Sequence, residues 1–487
     1  MREHEELAWT PAWRIREMFG DGSLSPVEYA EHLLARADRL SHLGAFISLF
    51  PEHLLAEAQA ATEALGKGDD LPPLHGLPVS AKDTVMTKGL RTTLGSKLFE
   101  DFVPEADSPS VHYTKEAGGI IFGKTNTPEF AMNRRSMNLV SREAVNPWDQ
   151  TRTSGGSSGG AGVAVAAGLG PLAIGTDGGG SIRLPSAFNG IFGFCVSRGR
   201  VPCYGGKFIT PSSITGPMTR DVRDAAILLQ AMAKVDDRDP LTMRTDAPDY
   251  LATLEDGVKG VRVAWSPDFG RVDPAQPEII PICHDMAQTF RTLGADYSEP
   301  YVRIEDPHDP LEQDHEYGRE QMDAYFRQYM PDYENPFQWA AKLSREDYMK
   351  LTIYMRDRSD RPNELDNALS ILPSVRYKTK TRLADLFQGI DLLISPTITR
   401  VAFACGKENV TPWQYCAYTH VVNMSGYCAA SVPAGFLDGM PVGIQIMGRP
   451  GEEELVLRAA RALERERPWA QHRPPVGIAV QAEAALA

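Results

Sequence analysis

Two clusters of glycine and serine, Gly155-Gly156-Ser157-Ser158-Gly159-Gly160 and Gly178-Gly179-Gly180-Ser181, enclose a run of small apolar residues. No other stretch constrains the fold as strongly, because residues without side chains let the backbone make tight turns and close approaches that a Cβ forbids. The enclosed run, 162–174, is broken by Gly168, Gly170 and Pro171. It is shorter than the roughly 20 residues that cross a bilayer and reads as a buried helix followed by a strand. Strands and helices joined through glycine-lined turns are where an α/β protein keeps its chemistry.

The rest of the chain fits that frame. Ser25-Pro26 opens an amphipathic helix with a serine cap and a first-turn proline, and a second helix rich in Ala, Leu and Glu spans 51–65 before Gly66. The first seventy residues are therefore expected to be helical packing material. Between 74 and 216 short aliphatic runs alternate with glycine and serine clusters. From 236 to 372 the sequence turns charged, aromatic and proline-punctuated, and Leu392-Leu393-Ile394 and Val442-Gly443-Ile444-Gln445-Ile446 then return to buried-strand character.

With 487 residues, 42% of them hydrophobic, the chain has ample core material. The balance of 50 basic against 64 acidic residues gives a net charge of −14. With no basic run, nucleic acid and anionic membrane are poor partners. The six cysteines stand at irregular spacings with no CxxC pair and no paired histidines, so no metal site is expected and the thiols read as free in a reducing compartment. The start, Met1-Arg2-Glu3-His4-Glu5-Glu6-Leu7, lacks the apolar core of a signal peptide, and a cytoplasmic location is expected.

Three motifs compete for the chemistry. Gly118-Gly119-Ile120-Ile121-Phe122-Gly123-Lys124-Thr125 satisfies the phosphate-loop pattern, but its interior is strand-like and Pro128 leaves no room for a helix starting at the lysine. Gly155-Gly156-Ser157-Ser158-Gly159 fits the GxSxG nucleophile elbow, which requires a later acid and histidine. Gly178-Gly179-Gly180-Ser181 could converge backbone N–H groups on one oxyanion, or be only a structural turn. The motifs taken singly leave these alternatives open.

Taken together, the blocks resemble the amidase-signature family. The likeness rests on Gly155 to Gly160, Gly175-Thr176-Asp177 and Gly179-Gly180-Ser181-Ile182-Arg183, with Gly76-Leu77-Pro78-Val79-Ser80-Ala81-Lys82-Asp83 upstream. Gly123-Lys124-Thr125-Asn126, Asn146-Pro147-Trp148-Asp149, Thr215-Gly216-Pro217-Met218 and Ser431-Val432-Pro433-Ala434-Gly435 add to it. The chain departs from the family pattern at Cys195-Val196-Ser197 and at Cys428.

The resemblance implies one α/β domain over 1–487, a mixed twisted sheet covered by helices on both sides. Residues 1–70 would be a helical N-terminal region, 71–235 the signature core, 236–372 a variable covering segment and 373–487 the C-terminal part of the core. It implies Ser181 as nucleophile, Ser157 as a bridging serine on a cis peptide and Lys82 as base, with backbone N–H groups of Gly178, Gly179, Gly180 and Ser181 as the oxyanion hole. Asp177 and Arg183 read as a structural ion pair, and Ser158 as a helix cap or loop-orienting residue. The implied activity is hydrolysis of a small-molecule amide through an acyl-enzyme, with no cofactor or metal, by a homodimer. Met132 and Asn133 are expected in the pocket wall, together with aromatics of 317–339, which would favour aryl or alkyl amides. The amidase component of a tRNA-dependent amidotransferase is the alternative. As a base Lys82 must be neutral, so its surroundings must depress an ordinary pKa of about 10.4.

Overall fold

The computed structural model describes residues 2–67, 71–204, 213–270, 272, 274–304, 376–377, 379–406 and 416–476. After α1 (Arg2–Leu7) and α2 (Ala12–Asp21), helix α3 (Pro26–Arg39) begins at a capping box. Ser25 Oγ accepts the Glu28 N–H at 3.2 Å, and the Glu28 carboxylate accepts the Ser25 N–H at 2.8 Å. Helix α4 (Pro51–Leu65) covers the expected residues. The N-terminal region is nevertheless not purely helical: Phe46-Ile47-Ser48-Leu49, aromatic and β-branched, forms an edge strand, β1 (Phe46–Leu49).

The strands that follow are β2 (Pro78–Lys82), β3 (Ile120–Thr125), β4 (Leu172–Asp177), β5 (Phe192–Cys195), β6 (Ile214–Thr219), β7 (Arg262–Trp265), β8 (Asp296–Ser298), β9 (Leu392–Pro396), β10 (Cys428–Leu437) and β11 (Met440–Gly448). They form one 11-stranded sheet in the order β1-β3-β2-β4-β6-β5-β10-β11-β9-β7-β8. β3, β2 and β4 run parallel, as do β9, β7 and β8, and the pairings from β4 across to β9 are antiparallel. The flanking helices include α5 (Pro109–Glu116), α6 (Gly159–Ala166), α7 (Arg183–Asn189), α8 (Val222–Met232), α9 (Ile279–Thr292), α10 (His420–Ser425) and α11 (Glu453–Glu466). The whole is a single large α/β domain with a mixed, twisted sheet between helices, and its main core cluster runs from Ala12 to Trp469.

Within the segment expected to cover the site, the apolar run Val263-Ala264-Trp265 pairs in parallel with β9 and extends the sheet edge through β7 and β8. Residues 305–375, including the aromatics of 317–339, lie outside the described residues.

The phosphate-loop match is resolved by β3, which runs unbroken through Gly123 and Lys124 with every residue buried. Lys124 Nζ donates to Thr87 Oγ1 at 2.9 Å and to the Val85 carbonyl, and burial lowers its pKa to about 8. An amine enclosed in this way has no access to phosphate.

The first turn of α6 docks against the end of β3 with no clearance. A Cβ on Gly160 would lie 2.1 Å from Asn126 N and 2.5 Å from Ala45 O, both backbone atoms that cannot swing aside. Gly160→Ala is expected to give insoluble or early-melting protein. A soluble variant with the wild-type melting temperature would contradict this packing.

Candidate active site

The three parallel strands β3, β2 and β4 end on the same side of the sheet, and crevices beyond the carboxyl ends of such strands are where α/β sheets hold ligands. Lys82 is the last residue of β2, and Thr176 and Asp177 close β4. Every residue of β2 is buried, and the strand carries the Lys82 amine into the fully enclosed interior. There Nζ donates to Ser157 Oγ at 2.6 Å and to Thr176 Oγ1 at 2.8 Å. Burial lowers the Lys82 pKa to about 7, against the opposing pull of the Asp177 charge.

Ser157 reaches the amine from the turn before α6, and the Gly156–Ser157 peptide is cis. Gly156 has to be glycine, since a Cβ there would lie 2.8 Å from Asn133 O and 2.9 Å from Arg134 C. Ser136 supports the same turn, its Oγ donating to the Gly155 carbonyl and accepting the Gly159 N–H, both at 3.0 Å. Ser158 makes no side-chain cap on α6. Its Oγ instead donates to Thr176 O at 3.1 Å and accepts the Thr176 N–H at 3.3 Å, while its N–H donates to the Ser181 carbonyl at 3.1 Å. Of the two roles expected for Ser158, the loop-orienting one is therefore the one observed, and through it the two serine turns are tied together.

The second turn is organised by Asp177. Its carboxylate accepts the N–H groups of Gly180 at 2.6 Å and Ile182 at 3.0 Å and pairs with Arg183, Nε at 3.1 Å and Nη2 at 3.0 Å. Both charges are fully enclosed. Burial alone would raise the Asp177 pKa, but the Arg183 charge and the hydrogen bonds outweigh it and leave the carboxyl at about 2. Arg183 also donates to Gln445 Oε1 and Asn423 Oδ1, each at 2.7 Å. Ser181, Gly178 and Gly179 are half-buried at the tip of this turn. Gly180 differs from the other two glycines, because its N–H is already held by Asp177.

Met132 is half-buried and Asn133 exposed in a loop that follows two residues of positive φ, Phe130 (52°) and Ala131 (61°). The Asn133 side chain accepts the Arg135 N–H at 3.0 Å, and its main-chain oxygen faces Gly156, so this loop borders the first serine turn. Thr176, Thr419, Asn423 and Gln445 are not singled out by the sequence. Thr176 lies inside one of the family blocks, and it comes within reach of Lys82 because β2 and β4 are parallel neighbours that end together. The other three come from more than 200 residues away and carry no local signal.

Among the described residues no group of three or more His, Cys, Asp or Glu could hold a metal ion, and no helix is long and apolar enough to cross a membrane. All six cysteines are unbridged.

A buried amine of lowered pKa beside a serine, with a second serine at a glycine-rich turn, is an arrangement suited to acyl transfer. The sequence profile of the family described as Amidase matches residues 28–457. The chain is 32% identical to an acylamidase of Rhodococcus erythropolis, covering 98% of this chain and 99% of that protein. It is 33% identical to the A component of the glutamyl-tRNA(Gln) amidotransferase of Geobacter sp. (strain M21), covering 95% and 98%. Among solved structures it overlays on a bacterial aryl acylamidase of the amidase-signature family with a TM-score of 0.84 and 27% identity, covering 95% and 97% of the two chains. The chain belongs to the amidase-signature family. It is an enzyme of that family that hydrolyses amide bonds.

The buried pair yields a prediction about stability. Arg183→Leu would strand the Asp177 carboxylate without its cation, and unpairing a buried charge costs about 3–5 kcal/mol. Denaturant unfolding should register a loss of that order, and a loss under about 1 kcal/mol would show that the pair is not enclosed as described.

Proposed function

We propose that the chain hydrolyses carboxylic amides through a Ser181 acyl-enzyme, with Lys82 as base and Ser157 as proton relay. The observation that carries this reading is the 2.6 Å contact between a fully buried Lys82 amine and Ser157 Oγ. A lysine with a pKa of about 7 is half neutral at that pH and can accept a proton, which an exposed lysine cannot.

In the proposed cycle Ser181 Oγ attacks the amide carbonyl as its proton passes to Ser157 and the Ser157 proton passes to Lys82. The resulting oxyanion is held by the N–H groups of Gly178, Gly179 and Ser181. Gly180 acts as the bend between them, since its own N–H faces Asp177. Collapse breaks the C–N bond, and the leaving nitrogen takes a proton from Ser157, which is resupplied by Lys82. Water then attacks the ester as its proton passes through Ser157 to Lys82, and collapse releases the acid as Ser181 Oγ takes that proton back. No step calls for a cofactor.

The likeness to an acylamidase and an aryl acylamidase supports aryl amides as substrates, and alkyl amides belong to the same proposal. Met132 and Asn133 are assigned to the pocket wall because their loop borders the first serine turn. The comparable identity to an amidotransferase component supports a second reading, ammonia release from glutamine for a partner. The two are separated by assaying the protein purified alone. Turnover of simple anilides supports the self-sufficient amidase, whereas glutaminase activity appearing only with a partner supports the second.

Mass spectrometry after exposure to a fluorophosphonate should give a single adduct that Ser181→Ala abolishes. Persistence of the adduct without Ser181 and its loss in Ser157→Ala would reverse the two serine roles. The pH profile follows from the depressed Lys82 pKa. The neutral amine is the active form, so kcat/KM should fall about tenfold per pH unit well below 7 and level off above about 8. A flat profile from pH 5 to 9 would remove Lys82 as the base.

A further inference from the structure

One peptide unit of the glycine turn is held at both ends. The Gly179 carbonyl accepts the Thr419 hydroxyl at 2.7 Å, and the Gly180 N–H donates to Asp177 Oδ1 at 2.6 Å. In a trans peptide these groups point in opposite directions, so Thr419 and Asp177 grip the same plane from opposite sides. Thr419 is fully buried and has a second carbonyl within reach, Cys416 O at 3.3 Å, but its single proton favours the shorter contact with Gly179. The hydroxyl rests directly on the turn: Gly180 has φ +127°, and a Cβ there would lie 2.3 Å from Thr419 Oγ1. Thr419 immediately precedes α10, and that helix also supplies Asn423, whose Nδ2 donates to the Asp177 main-chain oxygen at 3.1 Å and to Oδ1 at 3.0 Å. Both grips on the peptide thus trace back to one short segment of the C-terminal part of the chain.

We infer that Thr419 is a positioning residue for amide hydrolysis. By holding the Gly179 carbonyl opposite Asp177 it fixes the peptide plane whose neighbours on either side carry the Gly179 and Ser181 N–H groups, and so aims those donors at the oxyanion. The inference rests on the role of Ser181 proposed above. Thr419 touches no reacting atom. Its effect is on donor direction, which matters in the transition state, where charge gathers on the carbonyl oxygen, more than in the ground state. A displacement of about 1 Å in such a site can lower the rate about 100-fold.

The test compares Thr419→Ala, which removes the hydroxyl, with Thr419→Ser, which keeps it. Thr419→Val serves as the hydroxyl-free variant should the alanine protein fold poorly. On an anilide, kcat of Thr419→Ala should fall about 10- to 100-fold while KM stays within about twofold, and Thr419→Ser should recover most of the rate. Binding of an aryl trifluoromethyl ketone, which forms a tetrahedral oxyanion on the serine, should weaken by the same factor as kcat. The midpoint of the pH profile should not move, because Lys82 is untouched. Wild-type kcat in the hydroxyl-free variants, or equal loss in Thr419→Ser, would overturn the inference. Failure of the underlying reading shows itself separately, as fluorophosphonate labelling that survives Ser181→Ala.

Discussion

The Lys82 amine is fully buried, and the arrangement around it answers to that one fact. A charged amine in such a place is strongly disfavoured, so it is met by two hydroxyls and no carboxylate in hydrogen-bond contact. Asp177, whose charge would hold the proton on Lys82, is turned instead toward Arg183 and the backbone of its own turn. The carboxylate therefore shapes the turn and pairs with the guanidinium, while its charge still opposes the fall of the Lys82 pKa. Had it faced the lysine directly, its charge would favour the protonated amine more strongly.

The parallel strands β2 and β4 set the spacing of this site. They end beside each other so that the Lys82 amine reaches Thr176 Oγ1, and Ser158 bonds both Thr176 and the Ser181 carbonyl, so the two turns share one residue as a common anchor. The glycines are dictated by neighbours as much as by torsion. Gly156 and Gly160 stand against backbone atoms that leave no room for a Cβ. The density of glycine in the first cluster is a packing requirement of the loop and of the helix it opens.

Much of this was legible in the sequence where the physics is local. The Ser25 capping box, the span of α4 and the strand character of 120–125 follow from caps, prolines and apolar runs. Family likeness pointed to Lys82, Ser157 and Ser181, and the folded chain brings Lys82 to Ser157 and ties the main chain at Ser158 to that of Ser181. Propensity failed where tertiary pairing decides. Phe46–Leu49 is too short to announce itself as a strand, and Val263-Ala264-Trp265 sits in a stretch whose charged composition concealed sheet residues. The polar supports of the second turn were invisible for a different reason. Thr419, Asn423 and Gln445 are ordinary residues until the antiparallel pairing of β10 with β5 and β11 brings the C-terminal strands beside the core.

The span of those supports bears on how the protein is made. Arg183 meets Asn423 and Gln445 across sequence separations of 240 and 262 residues. While the chain is being synthesised, Lys82, Ser157 and Ser181 leave the ribosome long before the residues that close around Asp177 and Arg183 exist. The buried ion pair cannot be sealed on a nascent chain of that length, because its guanidinium would lack two of its acceptors and the C-terminal strands that exclude water from it. Closing the enclosure thus requires the C-terminal strands, and a truncated product that contains all three residues would still lack the surroundings in which the turn is built.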